Sequence, residues 1–200
     1  MTRTHVSAFV AGLMAVPLLW FPPNASAQTA PEPAPAGDAR PAAPERFRNF
    51  VLDTAGPVWL VEAVAYAGIA QARDTPPEWG GGAKGFGKRY ASLLGQGAIQ
   101  EAVTYGLSEA MSVDSRFRKS GKHGFFPRAG DALLQSVTSR RANGDRVVSV
   151  PLLAGYAAGG LGMMTWYPDG YTNKDGFGYG GVALASRAAV NLIREFIVRR

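Results

Sequence analysis

Apolar residues recur along this chain with the period of a helix, and nowhere with the sustained alternation of a β-barrel strand. Gly56-Pro57 places a proline in a first helical turn, and Val58 to Ala72 is then apolar almost all round, with Glu62 and Gln71 as polar exceptions. Such a helix is expected to be buried. Asp74-Thr75-Pro76-Pro77 ends it, and the glycines from Gly80 to Gly87 are expected to hold off the next helix until about Phe86.

The segment from Tyr90 to Ser112 organises the rest. Ala91, Gly95, Ala98, Ala102, Gly106 and Ala110 recur at steps of three and four, a stripe of small side chains that lets another helix come close. Gln96, Gln100, Thr104 and Ser108 fall on the other side, expected to meet water or polar partners. Ala129 to Arg141 carries a shorter amphipathic pattern stopped by Asn143-Gly144, and Val147 to Val150 allows a brief strand but reads better as the lead-in to a helix with Pro151 in its first turn. Leu152 to Tyr167 has no charge and sets Gly155 and Gly159 one turn apart, a small-xxx-small pair. The predicted contact joins Gly95, Ala102 and Gly106 to Gly155 and Gly159, and the same faces would allow self-association. A last helix after Gly176-Phe177-Gly178 puts Val182, Ala185, Ala189, Leu192 and Phe196 on its packing face, with Arg187, Asn191 and Arg194 opposite. Together these elements predict an all-α, Gly/Ala-rich bundle of about five helices.

The N-terminal stretch follows a different pattern. Met1-Thr2-Arg3, the apolar run Val6 to Trp20 and Ala25-Ser26-Ala27 have the three parts of a secretory signal peptide, so residues 1–27 are expected to be removed and the protein exported to the periplasm or cell envelope. Residues 28–45 are Ala and Pro with scattered charges, a composition that buries nothing and reads as a disordered linker before a helical domain spanning 46–200. The absence of Cys removes disulfides, thiolate metal sites and Cys nucleophiles.

Charge adds a candidate surface. Between Arg116 and Arg146 the chain carries eight Lys and Arg against Asp131 and Asp145 alone. For an exported protein the abundant anionic partners are lipid head groups and other envelope polyanions, with nucleic acid excluded by compartment. Arg116, Arg118, Lys119, Lys122, Arg128, Arg140 and Arg141 are therefore expected to bind an anionic membrane surface or a similar polyanion.

Familiar catalytic and cofactor patterns fail at specific positions. Gly82-Ala83-Lys84-Gly85-Phe86-Gly87-Lys88 approaches a phosphate loop, but Arg89 stands where Ser or Thr would hold magnesium and no buried strand precedes it. Gly80-x-Gly82-x-x-Gly85 lacks the strand-turn-helix unit of a dinucleotide site. Tyr171 and Val182 replace the first and twelfth ligands of a calcium loop, and His123 is the only histidine after residue 27. No cofactor or metal is expected. Glu62 on its apolar helix needs a partner if buried, and Arg89 or Arg187 could supply one.

The string Glu78-Trp79-Gly80-x-Gly82-x-x-Gly85-Phe86-Gly87-Lys88-Arg89-Tyr90, with Asp114-Ser115-Arg116-Phe117, Arg128, Gly130 and Tyr167-Pro168, resembles a family of uncharacterised exported proteins from soil bacteria. Ser115 stands where that family is expected to have proline. The resemblance implies an exported Gly- and Ala-rich helical protein and carries no activity. The expected function is a non-enzymatic, membrane-associated envelope protein with a structural or interaction role. The alternative is an envelope hydrolase acting on lipid or cell-wall material through the polar loop from Asp114 to Asp131, with a serine, His123 and an aspartate drawn together.

Overall fold

Helix formation starts within the Pro/Ala-rich tail. The structure, a computed structural model, describes residues 40–197; residues 1–27 and 28–39 of the expected signal peptide and linker lie outside the described residues. Ala43–Ala55 (α1) opens with a proline in its first turn and Glu45 near the free amides, both favourable at a helix start. Ahead of it Arg40 reaches Glu109 at 2.8 Å, and Arg46 reaches the same carboxylate at 2.6 Å. Residues 40–45 thus belong to the fold.

Pro57–Ala72 (α2) follows after Gly56 alone. It buries Ala63, Tyr66, Ala67 and Ala70, but Val58, Leu60, Val61 and Val64 stay exposed, so the expectation of burial all round is corrected. Only one face of α2 finds protein.

The next helix, Gly82–Ala110 (α3), begins earlier than its glycines suggested. Tertiary bonding offsets their poor propensity. Arg89, on the first turns of α3, is buried and donates to the carbonyls of Thr75, Pro76 and Gly80 at 2.8, 2.8 and 2.7 Å, and to Gln71 Oε1 at 2.6 Å. One guanidinium thereby ties α2, the loop and α3 together.

The segment expected to be one helix from Ala129 to Arg141 divides into Phe125–Leu134 (α4) and Thr138–Arg141 (β2). Val113–Asp114 (β1) and Arg146–Val148 (β3) flank β2 in an antiparallel sheet of order β1-β2-β3, with Ser139 opposite Val147. Asn143-Gly144 closes a hairpin, with Gly144 at φ 88°, where the expectation had it stopping a helix. The stretch from Val147 is accordingly a strand, and its β-branched pair favours that state.

Val150–Met163 (α5) is capped by Ser149, whose hydroxyl accepts from the Leu152 amide at 3.2 Å. Asn173–Phe196 (α6) starts three residues before Gly176, at a reciprocal Thr172–Asp175 capping box. The result is an all-α bundle carrying one small sheet, with a core centred on Tyr66, Ala70, Met163, Tyr179 and Val182.

Helices α3 and α5 do pack, with Gly155 and Gly159 at the contact as expected, but against another face of α3 than the one expected. A Cβ on Gly155 would lie 2.0 Å from Thr104 Oγ1 and 2.7 Å from the Gln100 carbonyl, and one on Gly159 would lie 2.9 Å from the Gln96 carbonyl. Ala102 and Gly106 are exposed, and Gly106 has nothing within 4 Å of where a Cβ would stand. Gly95 instead faces the ring of Trp166, which a Cβ there would meet at 3.2 Å. The polar row of α3 turns inward because it has partners there: Ser92 accepts from Trp166 Nε1 at 2.9 Å, and Thr104 donates to the Pro151 carbonyl at 3.4 Å. The last helix is turned only in part: Asn191 and Glu195 are buried and Phe196 is exposed, but Val182 of the expected packing face lies in the core and Arg194 stays exposed.

Candidate functional site

The inward polar rows of α3 and α6 line a cleft of about 560 Å³ between α1, α2, α3 and α6. Its walls hold Asp53 from α1, Glu62 from α2, Glu101 from α3, and Arg187 and Arg194 from α6, between aromatic surfaces of Phe50, Trp59, Tyr66 and Tyr156. The cleft opens to water at Asp53 and Arg194, which are exposed. Among the described residues, no two of these five charges approach within 4.0 Å as an ion pair. Arg187 spends one donor on the Ser115 carbonyl at 2.7 Å, and Gln100 donates to Glu101 at 3.2 Å. Arg187 Nε and Trp59 Nε1 are buried without a hydrogen-bond partner.

These placements set the titration of the wall. Burial raises the Asp53 carboxyl above its ordinary value, against the pull of Arg187 and Arg194. Glu62 is raised by burial against Arg194, and Glu101 by burial against Arg187. Burial, and then repulsion from Arg187, lower Arg194, whereas for Arg187 the effect of burial is outweighed by Tyr156 and Glu101. Tyr66 is pushed up to about 12, chiefly by burial. The cleft thus holds both signs of charge, with Glu62, Glu101 and Arg187 half-buried and Asp53 and Arg194 at its open side.

The partner expected for Glu62 is corrected here. Arg89 is committed to the loop before α3, and the arginine that acts on Glu62 is Arg194.

Much of the basic segment faces carboxylates of the chain itself. Arg116 and Arg118 both bind Asp114, at 3.1 and 2.9 Å, and Lys122 and Arg146 both reach Asp131, at 3.3 and 2.9 Å. Arg128 bonds the fully buried Glu195 at 2.7 Å and lies 4.8 Å from the Phe196 ring. Arg140 contacts the Gly144 carbonyl at 3.4 Å, Arg141 is exposed at the end of β2, and Lys119 is half-buried in the loop before α4. Burial alone would raise Asp114, but hydrogen bonds from Arg116 and Arg118 outweigh it and hold the carboxyl below its ordinary value. Asp131 follows the same logic, with burial outweighed by Arg146 and then Lys122.

The loop's other candidates are not drawn into a triad. Ser115 bonds Ser139 at 2.6 Å and lies 3.4 Å from Ser149, joining a chain of hydroxyls between the sheet and α5. Ser120 accepts from the Lys122 amide, and His123 is exposed beside Gly124. No serine, histidine and aspartate form a hydrogen-bonded array among the described residues.

No family model, curated protein or solved structure matches this chain. The sequence motifs around these residues fall on structural fastenings: Arg89 on three carbonyls, Asp114 under two arginines, Arg128 on Glu195, and Tyr167 against Trp79 at 4.8 Å between ring centroids. The charged cleft itself went unread as a site. Its signal was present in Arg187, Asn191 and Arg194, which share one helix face opposite Val182, Ala185, Ala189, Leu192 and Phe196.

Proposed function

We propose that this is a non-enzymatic, exported cell-envelope protein that associates with an anionic membrane surface in a structural or interaction role. The observation that supports the reading best is the outward apolar face of α1 and α2. Phe47, Val51, Val58, Val61 and Val64 are each between 44% and 57% exposed, a row that water alone covers poorly. Ala43–Ala72 is the stretch of described residues long and apolar enough to cross a bilayer, with a mean hydropathy of 1.2 and 22% of its window buried, but Gly56 interrupts it. A broken, half-packed amphipathic pair fits lying on a membrane better than spanning it.

A second patch supports the same orientation toward lipid. Phe125 and Phe126 project at the start of α4, with Phe126 83% exposed, and Lys122 and His123 stand beside them. Aromatic rings beside a lysine suit the boundary between head groups and acyl chains.

Fractionation of producing cells tests the reading. The protein is expected in the membrane pellet and to leave it in carbonate or high salt; recovery wholly in the soluble exported fraction at low salt would overturn it. A dimer in non-ionic detergent would assign the outward stripe with Ala102 and Gly106 to self-association. The hydrolase alternative through Asp114–Asp131 has less support, because both aspartates are engaged by basic side chains. Loss of a measured lipid- or cell-wall-hydrolysing activity in a folded His123→Ala variant would restore it.

A further inference from the structure

Opposite charges on flexible side chains normally close into pairs when the backbone allows it, and around the cleft rim they do, as Arg46 does on Glu109 at 2.6 Å. Within the cleft they are held on facing walls. The carboxylates of Asp53, Glu62 and Glu101 come from α1, α2 and α3, and the guanidiniums of Arg187 and Arg194 come from α6. A volume of about 560 Å³ separates the walls, inside the range of sites that enclose a small molecule.

Charge balance narrows the occupant. A ligand with only an anionic group would satisfy the arginines and leave the half-buried carboxylates of Glu62 and Glu101 beside it; one with only a cationic group would reverse the fault. A molecule carrying both signs meets both walls at once. Arg187 and Trp59, whose Nε and Nε1 are buried without a hydrogen-bond partner, belong to the same lining. Phe50, Tyr66 and Tyr156 offer apolar surface to the remainder of the ligand.

We infer that the cleft is a binding site for a small zwitterion, with its anionic group on Arg187 and Arg194 and its cationic group on Glu62 and the neighbouring carboxylates. The inference goes beyond membrane association and does not depend on it. Phosphate and ammonium joined in one molecule occur both in zwitterionic lipid head groups and in small water-soluble compounds, and the cleft chemistry serves either.

Isothermal titration calorimetry on the full-length chain in a non-ionic detergent decides. The probes are glycerophosphoethanolamine, dihexanoyl phosphatidylethanolamine, leucine, glycerol 3-phosphate and ethanolamine. At least one of the three zwitterions is expected to bind saturably and at least ~10-fold more tightly than either single-charge probe. Tighter binding of the dihexanoyl compound than of glycerophosphoethanolamine identifies a lipid source, and equal or weaker binding a soluble one. Glu62→Gln and Arg194→Gln should each weaken the preferred zwitterion ~10-fold without lowering the melting temperature. If one variant unfolds early, the other carries the comparison; if both do, competition by glycerol 3-phosphate and ethanolamine added together against each alone replaces it, with the pair expected to displace the zwitterion better. Equal affinity for a single-charge probe, no effect of either folded variant, no advantage of the pair, or no saturable binding of any zwitterion at ~10 mM overturns the inference.

Discussion

Charge is handled in opposite ways in two adjoining regions of this molecule. Around the sheet and α4, Asp114, Asp131 and Glu195 each lie under arginine or lysine at hydrogen-bonding distance. In the cleft, Asp53, Glu62 and Glu101 face Arg187 and Arg194 without closing a pair. The first arrangement fastens loops that have little apolar material of their own. The second leaves ionised groups in partial burial, which costs stability and is retained where a site needs charge.

The largest effect should come from breaking a fastening. Arg128→Met leaves Glu195, whose side chain is fully buried, with only the Ser120 amide at 2.9 Å, and a loss of ~3–5 kcal/mol is expected in urea unfolding. A loss below ~1 kcal/mol would mean that the paired region is no tighter than a surface ion pair.

Gly155→Ala attacks the wall between the regions. Its new Cβ meets Thr104 Oγ1 and the Gln100 carbonyl, and only the first can turn away, so a cost of ~1–3 kcal/mol is expected. Unchanged thermal stability would show that α3 and α5 are not in the contact described.

The pH dependence separates the two regions by sign. Asp114 and Asp131 have folded values below the ordinary carboxylate value, so their contribution is present above that value and disappears as pH falls through the lowered ones. Asp53, Glu62 and Glu101 have raised folded values; their contribution is fully present below the ordinary value and is lost as pH rises through the raised ones. The combined variant Asp53→Asn, Glu62→Gln, Glu101→Gln should therefore gain stability relative to wild type as pH rises from about 4 to 7. Parallel curves from denaturant titrations would remove the distinction.

The smallest effect belongs to the projecting ring. Phe126→Ser should alter folding stability by less than ~0.5 kcal/mol, since the residue is 83% exposed, while lowering co-sedimentation with anionic vesicles. Unaltered sedimentation would take the α4 tip out of the proposed membrane contact.

Helical periodicity in the sequence was enough to specify the all-α class, the long central helix and a helix led by Pro151, because those rest on local spacing and on proline geometry. It also singled out Gly155 and Gly159 as points of close approach. Periodicity divides a helix into two faces without saying which one turns inward. For α3 and α6 that choice fell to tertiary structure: the row with Gln96 and Thr104 found backbone and side-chain partners on neighbouring elements, and the stripe with Ala102 and Gly106, too small to fill a core, was left outside. The short strands β2 and β3 were hidden for a related reason, since a few residues carry no period and Asn143-Gly144 punctuates a helix or a hairpin equally well until a partner strand is present. The cleft required both decisions at once, because its charges come from four helices and no local pattern records which of them will face each other.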